Sequence, residues 1–351
     1  MTVNPNDNSL NEEAILGILF SIELNPKDEA TNEYIIENTR RIKTDVETLE
    51  TVGKRRLGEQ ISSLPQILKS LQENKFVKLE NNCYSLTELG KKIGKKVRIR
   101  WLSEGYGEIF IKCANSQAYG QFCERAYGKN LIQFNVVNMY QLDLLQKRLT
   151  LKPSDVVLDL GCGLGKITEY LANETKAKML GIDFSVKAID WAKQNTKLNE
   201  KLSFEVMDIN ELDFPANTFD AIIALDVLYW VDDLESAMKK IKEILKPNGR
   251  MGVFYVQFKS PTDTTDTLSV DDTRIVKLLK QLDFKYDFLD ISDIALEMWK
   301  DQLIIGQELR PQFEQEGNVD IIDERLTDGK RVLERFEKNE QKRYFIYVQK
   351  K

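Results

Sequence analysis

Apolar residues recur at helical spacing over 12–24, where Ile15, Ile18, Leu19 and Ile22 share a face. The same period predicts helices over 44–57 and 62–73, the second with Leu64, Ile67, Leu68 and Leu71 along one side. The period then drops to two. Lys75-Phe-Val-Lys-Leu-Glu and Cys83-Tyr-Ser-Leu alternate on either side of Asn81-Asn82, which predicts a β-hairpin. Helical spacing resumes after Thr87, with Ser85 or Thr87 as the cap, and Gly94 weakens that helix. Residues 104–149 form a helical connection rich in aromatics: Tyr106, Phe110, Tyr119, Phe122, Tyr127, Phe134 and Tyr140.

From residue 156 onward, short apolar runs alternate with helical stretches. Strands are expected near 156–160, 178–183, 202–208, 218–226, 251–256, 284–289 and 343–348, and repeated βα units imply a parallel sheet covered by helices on both faces. Leu245-Lys-Pro-Asn-Gly-Arg is expected to end a helix on Gly249. Residues 294–338 are too long for a tight hairpin and too periodic for a loop, so they should form two or three helices that include Trp299.

The chain is organised around Val156-Val-Leu-Asp-Leu-Gly-Cys-Gly-Leu-Gly-Lys166. It reads as a buried strand, a sharp turn and the first turn of a helix, whose free N–H groups point at a ligand. Gly161, Gly163 and Gly165 allow positive φ and a close approach to the main chain. A dinucleotide fingerprint would need a third glycine where Lys166 stands. Lys178-Met-Leu-Gly-Ile-Asp183 ends in an acid at about the spacing at which such folds place a carboxylate on ribose hydroxyls.

The Asp-x-Gly-x-Gly-x-Gly wording of residues 159–165 resembles motif I of the class I S-adenosylmethionine-dependent methyltransferases, and Leu-Lys-Pro-x-Gly-x at 245–250 is similar to that family again. The resemblance implies an α/β, Rossmann-like, seven-stranded doubly wound sheet with its last strand antiparallel. It implies a cofactor site made of Asp159, Gly161, Cys162, Gly163, Gly165, Asp183, Phe184, Asp208, Ile209 and Asp226, with Asp208 on the adenine amino group and Met207 or Ile209 against the ring. Related enzymes often have a histidine pair where Tyr229 and Trp230 stand here. Asp226 and Tyr229 are the catalytic candidates, and Tyr119, Tyr127, Tyr229, Trp230 and Trp299 the candidate walls of a substrate pocket. The expected cofactor is S-adenosylmethionine, with S-adenosylhomocysteine as product.

Helix, helix, hairpin, helix at the start resembles a winged helix. The expected layout is a winged-helix-like domain over 1–103, a helical linker or lid over 104–150, and the methyltransferase domain over 151–351 with a helical cap inserted at about 292–340. Lys91, Lys92, Lys95, Lys96, Arg98 and Arg100 make a local basic run, but Ile93, Val97 and Trp101 recur within it as the buried face of a helix. A net charge of −6 over 351 residues argues against a dedicated nucleic-acid binder.

The absence of histidine removes imidazole bases and histidine-ligated zinc. Cys83, Cys113, Cys123 and Cys162 form no C-x-x-C pair, so no metal site or disulfide framework is expected. No apolar run approaches a membrane span and residues 1–8 show no leader pattern, which reads as a cytoplasmic protein. Motifs for methylating a flipped base, a radical cluster or a phosphate loop are missing, which favours a small-molecule acceptor. Two rivals share the same residues: a methyltransferase that docks RNA, DNA or a peptide on the winged helix, and a DNA-binding regulator that responds to the cofactor. A homodimer fits the resemblance, because related enzymes pair through such N-terminal domains.

Overall fold

The computed structural model describes residues 8–24, 64–80, 83–197, 200–259 and 268–351, in two compact units, Met1–Ser103 and Glu104–Lys351. The helix expected over 44–57, and with it the full winged-helix pattern, lies outside the described residues.

In the first unit, α1 (Asn8–Leu24) and α2 (Leu64–Glu73) precede an antiparallel hairpin of β1 (Val77–Glu80) and β2 (Cys83–Leu86), and the part of α3 (Glu88–Asn115) up to Ser103 follows. Ile15, Ile18, Leu19, Leu64, Leu68 and Leu71 interlock in its core, as the spacing of four predicts. Burying each such side chain is worth about 1.5–3 kcal/mol. The α3 cap is Thr87, whose hydroxyl accepts the Gly90 N–H at 3.1 Å. Gly94 sits well inside this helix, because a Cβ there would collide with the Leu16 carbonyl. The glycine that weakens the helix on its own is what lets α1 and α3 touch.

The second unit continues with α4 (Gln117–Tyr127) and α5 (Met139–Leu149), and then the βα alternation begins. β3 (Val156–Leu160), β4 (Lys178–Asp183), β5 (Leu202–Val206), β6 (Phe219–Leu225), β7 (Leu245–Phe258), β8 (Phe284–Asp290) and β9 (Gln341–Lys350) form one sheet in the order β5-β4-β3-β6-β7-β9-β8. β3 to β7 run parallel, and β9 pairs antiparallel with both β7 and β8. The expected seven-stranded sheet with its last strand antiparallel is the one observed.

Alternate strand residues serve opposite faces. Leu158, Ile222, Ala224, Met251 and Val253 pack with α8 (Leu234–Ile244) and α9 (Arg274–Gln281). Val157, Met179, Ala221, Ile223 and Phe254 pack with α5, α6 (Lys166–Thr175) and α7 (Val186–Asn195). Residues 292–337 form two helices, α10 (Ser292–Gln315) and α11 (Val319–Glu337), whose apolar faces share a core with α4.

One boundary differs from expectation. α8 ends at Ile244 and β7 starts at Leu245, so Gly249 is not a helix terminator. Pro247 lacks an N–H and forces extended backbone on Lys246, and the left-handed residue of the turn is Asn248 at φ 61°. Gly249 is still needed there, since a Cβ would stand 2.8 Å from the Lys246 carbonyl oxygen.

Candidate functional site

The strand order reverses between β3 and β6, and at the carboxyl ends of strands flanking such a point an open α/β sheet has its ligand crevice. β3 runs straight into the glycine turn. Gly161, Gly163 and Gly165 take φ of 70°, 52° and 70°, which side chains disfavour. A Cβ on Gly161 would stand 2.6 Å from Val227, and one on Gly165 would stand 2.5 Å from the Phe204 ring. A Cβ on Gly163 would meet only Phe110, at 3.7 Å, so the open side of the turn is there.

Two carboxylates brace this turn from within. Asp159 is 2% exposed and accepts the Thr168 hydroxyl at 2.5 Å; burial pushes its carboxyl up from 3.8 to about 7. Asp183 ends β4 and accepts the N–H of Gly163 at 3.0 Å and of Ser185 at 2.8 Å. Its carboxyl is also raised, by burial, with those two backbone bonds opposing. Ser185, not Asp183, caps α7. Cys162 is partly buried beside Gly181, and burial holds its thiol well above the ordinary range.

Asp208 follows β5. Its Oδ1 accepts the backbone N–H and the side-chain amide of Asn210, both at 2.9 Å, while Oδ2 is buried with no partner among the described residues. Ile209 is buried beside it at 8% exposure. An unbonded carboxylate oxygen next to a glycine turn suits a ligand that brings an N–H donor.

Aromatic side chains from the stretch before β3 gather over the turn. Phe110 and Phe134 meet edge to face at 5.2 Å between ring centres, and Tyr106 reaches Phe134 at 6.3 Å and Phe184 at 6.2 Å. Tyr119 and Tyr127 do not join them. Both are about 1–2% exposed in the shared core of α4, α10 and α11, where the Tyr119 hydroxyl donates to the Gln133 carbonyl at 2.7 Å.

Asp226 follows β6 in the left-handed region, φ 58°. Short polar residues tolerate this conformation at a cost, and such strain gathers at functional sites. Its Oδ2 accepts Arg343 at 2.7 Å and the Val136 N–H at 3.2 Å, and its Oδ1 is buried and unbonded. Tyr229 stands next to this pair. Burial first, and the Asp226 charge second, hold its phenol well above the ordinary value, so it keeps its proton. Trp230 packs on Tyr229 at 5.4 Å but is 61% exposed, and Trp299 is buried in the cap.

Arg343, Arg325 and Gln302 lie in this region, and nothing in the motif reading points to them. Signals exist nonetheless. Arg343 alternates with Phe345 and Tyr347 on a buried strand face, and Arg325 lies three residues past Ile322 and four before Gly329 on the apolar side of α11. A lone cation inside an apolar period is the pattern to look for.

Residues 158–253 match the model of a family described as a methyltransferase domain. Among relatives, phosphoethanolamine N-methyltransferase 1 of Arabidopsis thaliana is 27% identical over 225 residues, 62% of this chain and 40% of that one. A sterol 24-C-methyltransferase of Aspergillus fumigatus is 31% identical over 136 residues, 38% of this chain and 35% of that one. The chain spans less than half the length of the curated relatives it matches. Among solved structures, Haemonchus contortus phosphoethanolamine N-methyltransferase 2, in complex with phosphomonomethylethanolamine and S-adenosylhomocysteine, superposes with a TM-score of 0.56 at 15% identity, covering 91% of this chain and 82% of that one. A Mycobacterium tuberculosis cyclopropane synthase gives 0.55 at 11% identity, covering 68% of this chain and 95% of that one. With the glycine turn at the sheet's reversal point and the β9 insertion between β7 and β8, residues 158–253 match a methyltransferase domain, and the chain has the Rossmann-like fold of the class I S-adenosylmethionine-dependent methyltransferases.

Proposed function

We infer that this chain is an S-adenosylmethionine-dependent methyltransferase acting on a small molecule. The observation that carries the reading is the grouping, at one end of the sheet, of the left-handed glycine turn, the Asp183 carboxylate and the unbonded Asp208 Oδ2. The residues fit the cofactor: Asp183 would take the ribose hydroxyls, Asp208 Oδ2 the adenine amino group, and Ile209 the ring. When bound, S-adenosylmethionine supplies a sulfonium-activated methyl group that an acceptor nucleophile displaces in line, leaving S-adenosylhomocysteine.

The chain contributes position and dryness. Orienting two reactants is worth several kcal/mol of barrier, and the Tyr106–Phe110–Phe134–Phe184 cluster excludes water from above the turn. Asp226, fixed by Arg343 and the Val136 N–H, orients the acceptor with its remaining oxygen. Tyr229 serves as a hydrogen-bond donor rather than a base, because its phenol stays protonated. In this reading residues 104–150 and 292–340 are lid and cap, and residues 1–103 are a winged-helix-like unit that pairs two copies. The net charge of −6 favours small-molecule over nucleic-acid partners, and four free cysteines suit a cytoplasmic setting. Among the described residues no helix is long and apolar enough to cross a membrane.

The test is incubation with methyl-labelled S-adenosylmethionine and a cell extract separated into small molecules, protein, RNA and DNA, with Asp183→Ala as control. Label in the small-molecule fraction that disappears in the variant is the expected result. Label in a polymer fraction, or tight cofactor binding without any transfer, refutes it.

A further inference from the structure

Beside Asp226, side chains of β9, α4, α10 and α11 form a polar cluster to which the cofactor site proposed above assigns no part. Arg343 is 1% exposed, and of its guanidinium only Nη2 is bonded, to Asp226; Nε and Nη1 are buried with no partner among the described residues. Gln302 on α10 accepts the Tyr127 hydroxyl at 3.3 Å through Oε1, which leaves its Nε2 buried and unbonded. Arg325 on α11 donates to the Tyr127 hydroxyl oxygen at 2.9 Å and to the Phe134 carbonyl at 3.0 Å. Its guanidinium lies 5.6 Å from the Trp299 ring centre and 5.7 Å from that of Phe134. Tyr127 ties the cluster together, since its hydroxyl bonds Gln302 and Arg325 and it feels the charges of Asp226 and Arg343.

The charges do not balance. Arg343 is paired with Asp226, whereas the contacts of Arg325 are all neutral: the Tyr127 hydroxyl, the Phe134 carbonyl and the Trp299 and Phe134 rings. Three buried donor atoms, Arg343 Nε, Arg343 Nη1 and Gln302 Nε2, have no bond among the described residues, and the buried unbonded acceptors on the same elements are Asp226 Oδ1 and, two residues before Arg343 on its strand, Gln341 Oε1. Buried donors and a surplus positive charge are each costly unless a ligand answers them. An oxyanion satisfies both, and the guanidinium fork matches carboxylate and phosphate geometry.

We propose that the methyl acceptor carries an oxyanionic group, a carboxylate or a phosphate ester, seated against Arg343, Arg325 and Gln302 beside Asp226. The proposal rests on the small-molecule reading above and gives that acceptor its chemical class. Tyr127 and Trp299 then belong to the substrate site by holding Arg325, not by touching the acceptor.

The experiment is calorimetric titration of the full chain with inorganic phosphate, acetate and tetramethylammonium at matched ionic strength, each with and without saturating S-adenosylhomocysteine. Saturable binding of phosphate or acetate, absent for tetramethylammonium and weakened at least tenfold in Arg325→Met, is expected. The stronger of the two anions identifies the source. Arg343→Lys, which keeps a charge beside Asp226, should weaken the anion and leave S-adenosylhomocysteine affinity within twofold. No saturable anion binding by the unsubstituted chain in either state overturns the proposal, whether or not the variants fold. Loss of S-adenosylhomocysteine binding in Arg325→Met would do so too, by assigning the cluster to the cofactor. Failure of the unsubstituted chain to bind S-adenosylhomocysteine instead counts against the methyltransferase reading, and anion binding is still read without it.

Discussion

Asp159→Asn should change how stability depends on pH. Asp159 is 2% exposed behind the glycine turn and its carboxyl is raised from 3.8 to about 7. Below pH 3.8 the carboxyl is protonated whether the chain is folded or not, so folding is not penalised. Between 3.8 and 7 the folded state holds more protons than the unfolded state, so stability falls as pH rises. Above 7 both states are ionised and the full penalty remains. The gap of about three pH units corresponds to roughly 4 kcal/mol at 1.36 kcal/mol per unit. Asparagine cannot ionise and still offers Thr168 an oxygen in place of the carboxylate it now bonds at 2.5 Å. Urea unfolding of both proteins from pH 4 to pH 8 should therefore give a stability difference that shifts by about 4 kcal/mol in favour of the variant, mostly below pH 7. Groups not coupled to Asp159 cancel in that difference; Asp183, whose charge helps to raise Asp159, contributes the remainder. Parallel curves across the range would show that Asp159 ionises freely in the folded protein, and the account of it as a buried, proton-holding brace would be wrong.

Three further outcomes are expected. If Asp183 holds the ribose as proposed, Asp183→Ala should weaken S-adenosylhomocysteine binding by ten- to a hundredfold in calorimetry, through lost bonds of the charged hydrogen-bond kind and release of the Gly163 N–H; unchanged affinity would remove Asp183 from the site. Gly165→Ala should cost about 2–5 kcal/mol in urea unfolding, from left-handed strain at φ 70° plus the clash with Phe204. Tyr119→Phe leaves the buried Gln133 carbonyl with only the weak Cys123 thiol donor at 3.9 Å and should cost about 1–3 kcal/mol of stability. The KM for the acceptor should stay put, and a rise in KM at constant stability would return Tyr119 to the pocket wall.

The central strands β3, β4 and β6 are legible in the sequence because each is an apolar run that ends at a glycine or an acid. Leu160 is followed by Gly161, and Ile182 by Asp183, so strand ends and ligand-side residues are marked by the same change of composition. Helix spacing is legible too, but it says only that a side chain faces inward. Tyr119 and Phe110 share a stretch and a period; one is core and the other lies over the glycine turn, a difference set by α10 and α11 nearly two hundred residues away. Arg325 and Arg343 are not legible for the same reason: their partners, Phe134, Tyr127 and Asp226, come from other elements. The misplaced end of α8 had a local cause, Pro247, whose effect on Lys246 outweighs the pull of Gly249.

The position of β9 inside the sheet has a consequence for how the protein is made. Chains emerge at about 5–20 residues per second and fold from the front. When residue 258 has left the ribosome, β7 presents residues 250–258, the nine that β9 will pair, with no neighbour beyond them, and it keeps that flank through all of α9, β8, α10 and α11. An unpaired edge of that length invites pairing with another chain. For several seconds of synthesis the nascent protein is thus open to the wrong partner, until the arrival of 341–350 seals β7 against β8 and delivers Arg343 to Asp226 in the same step.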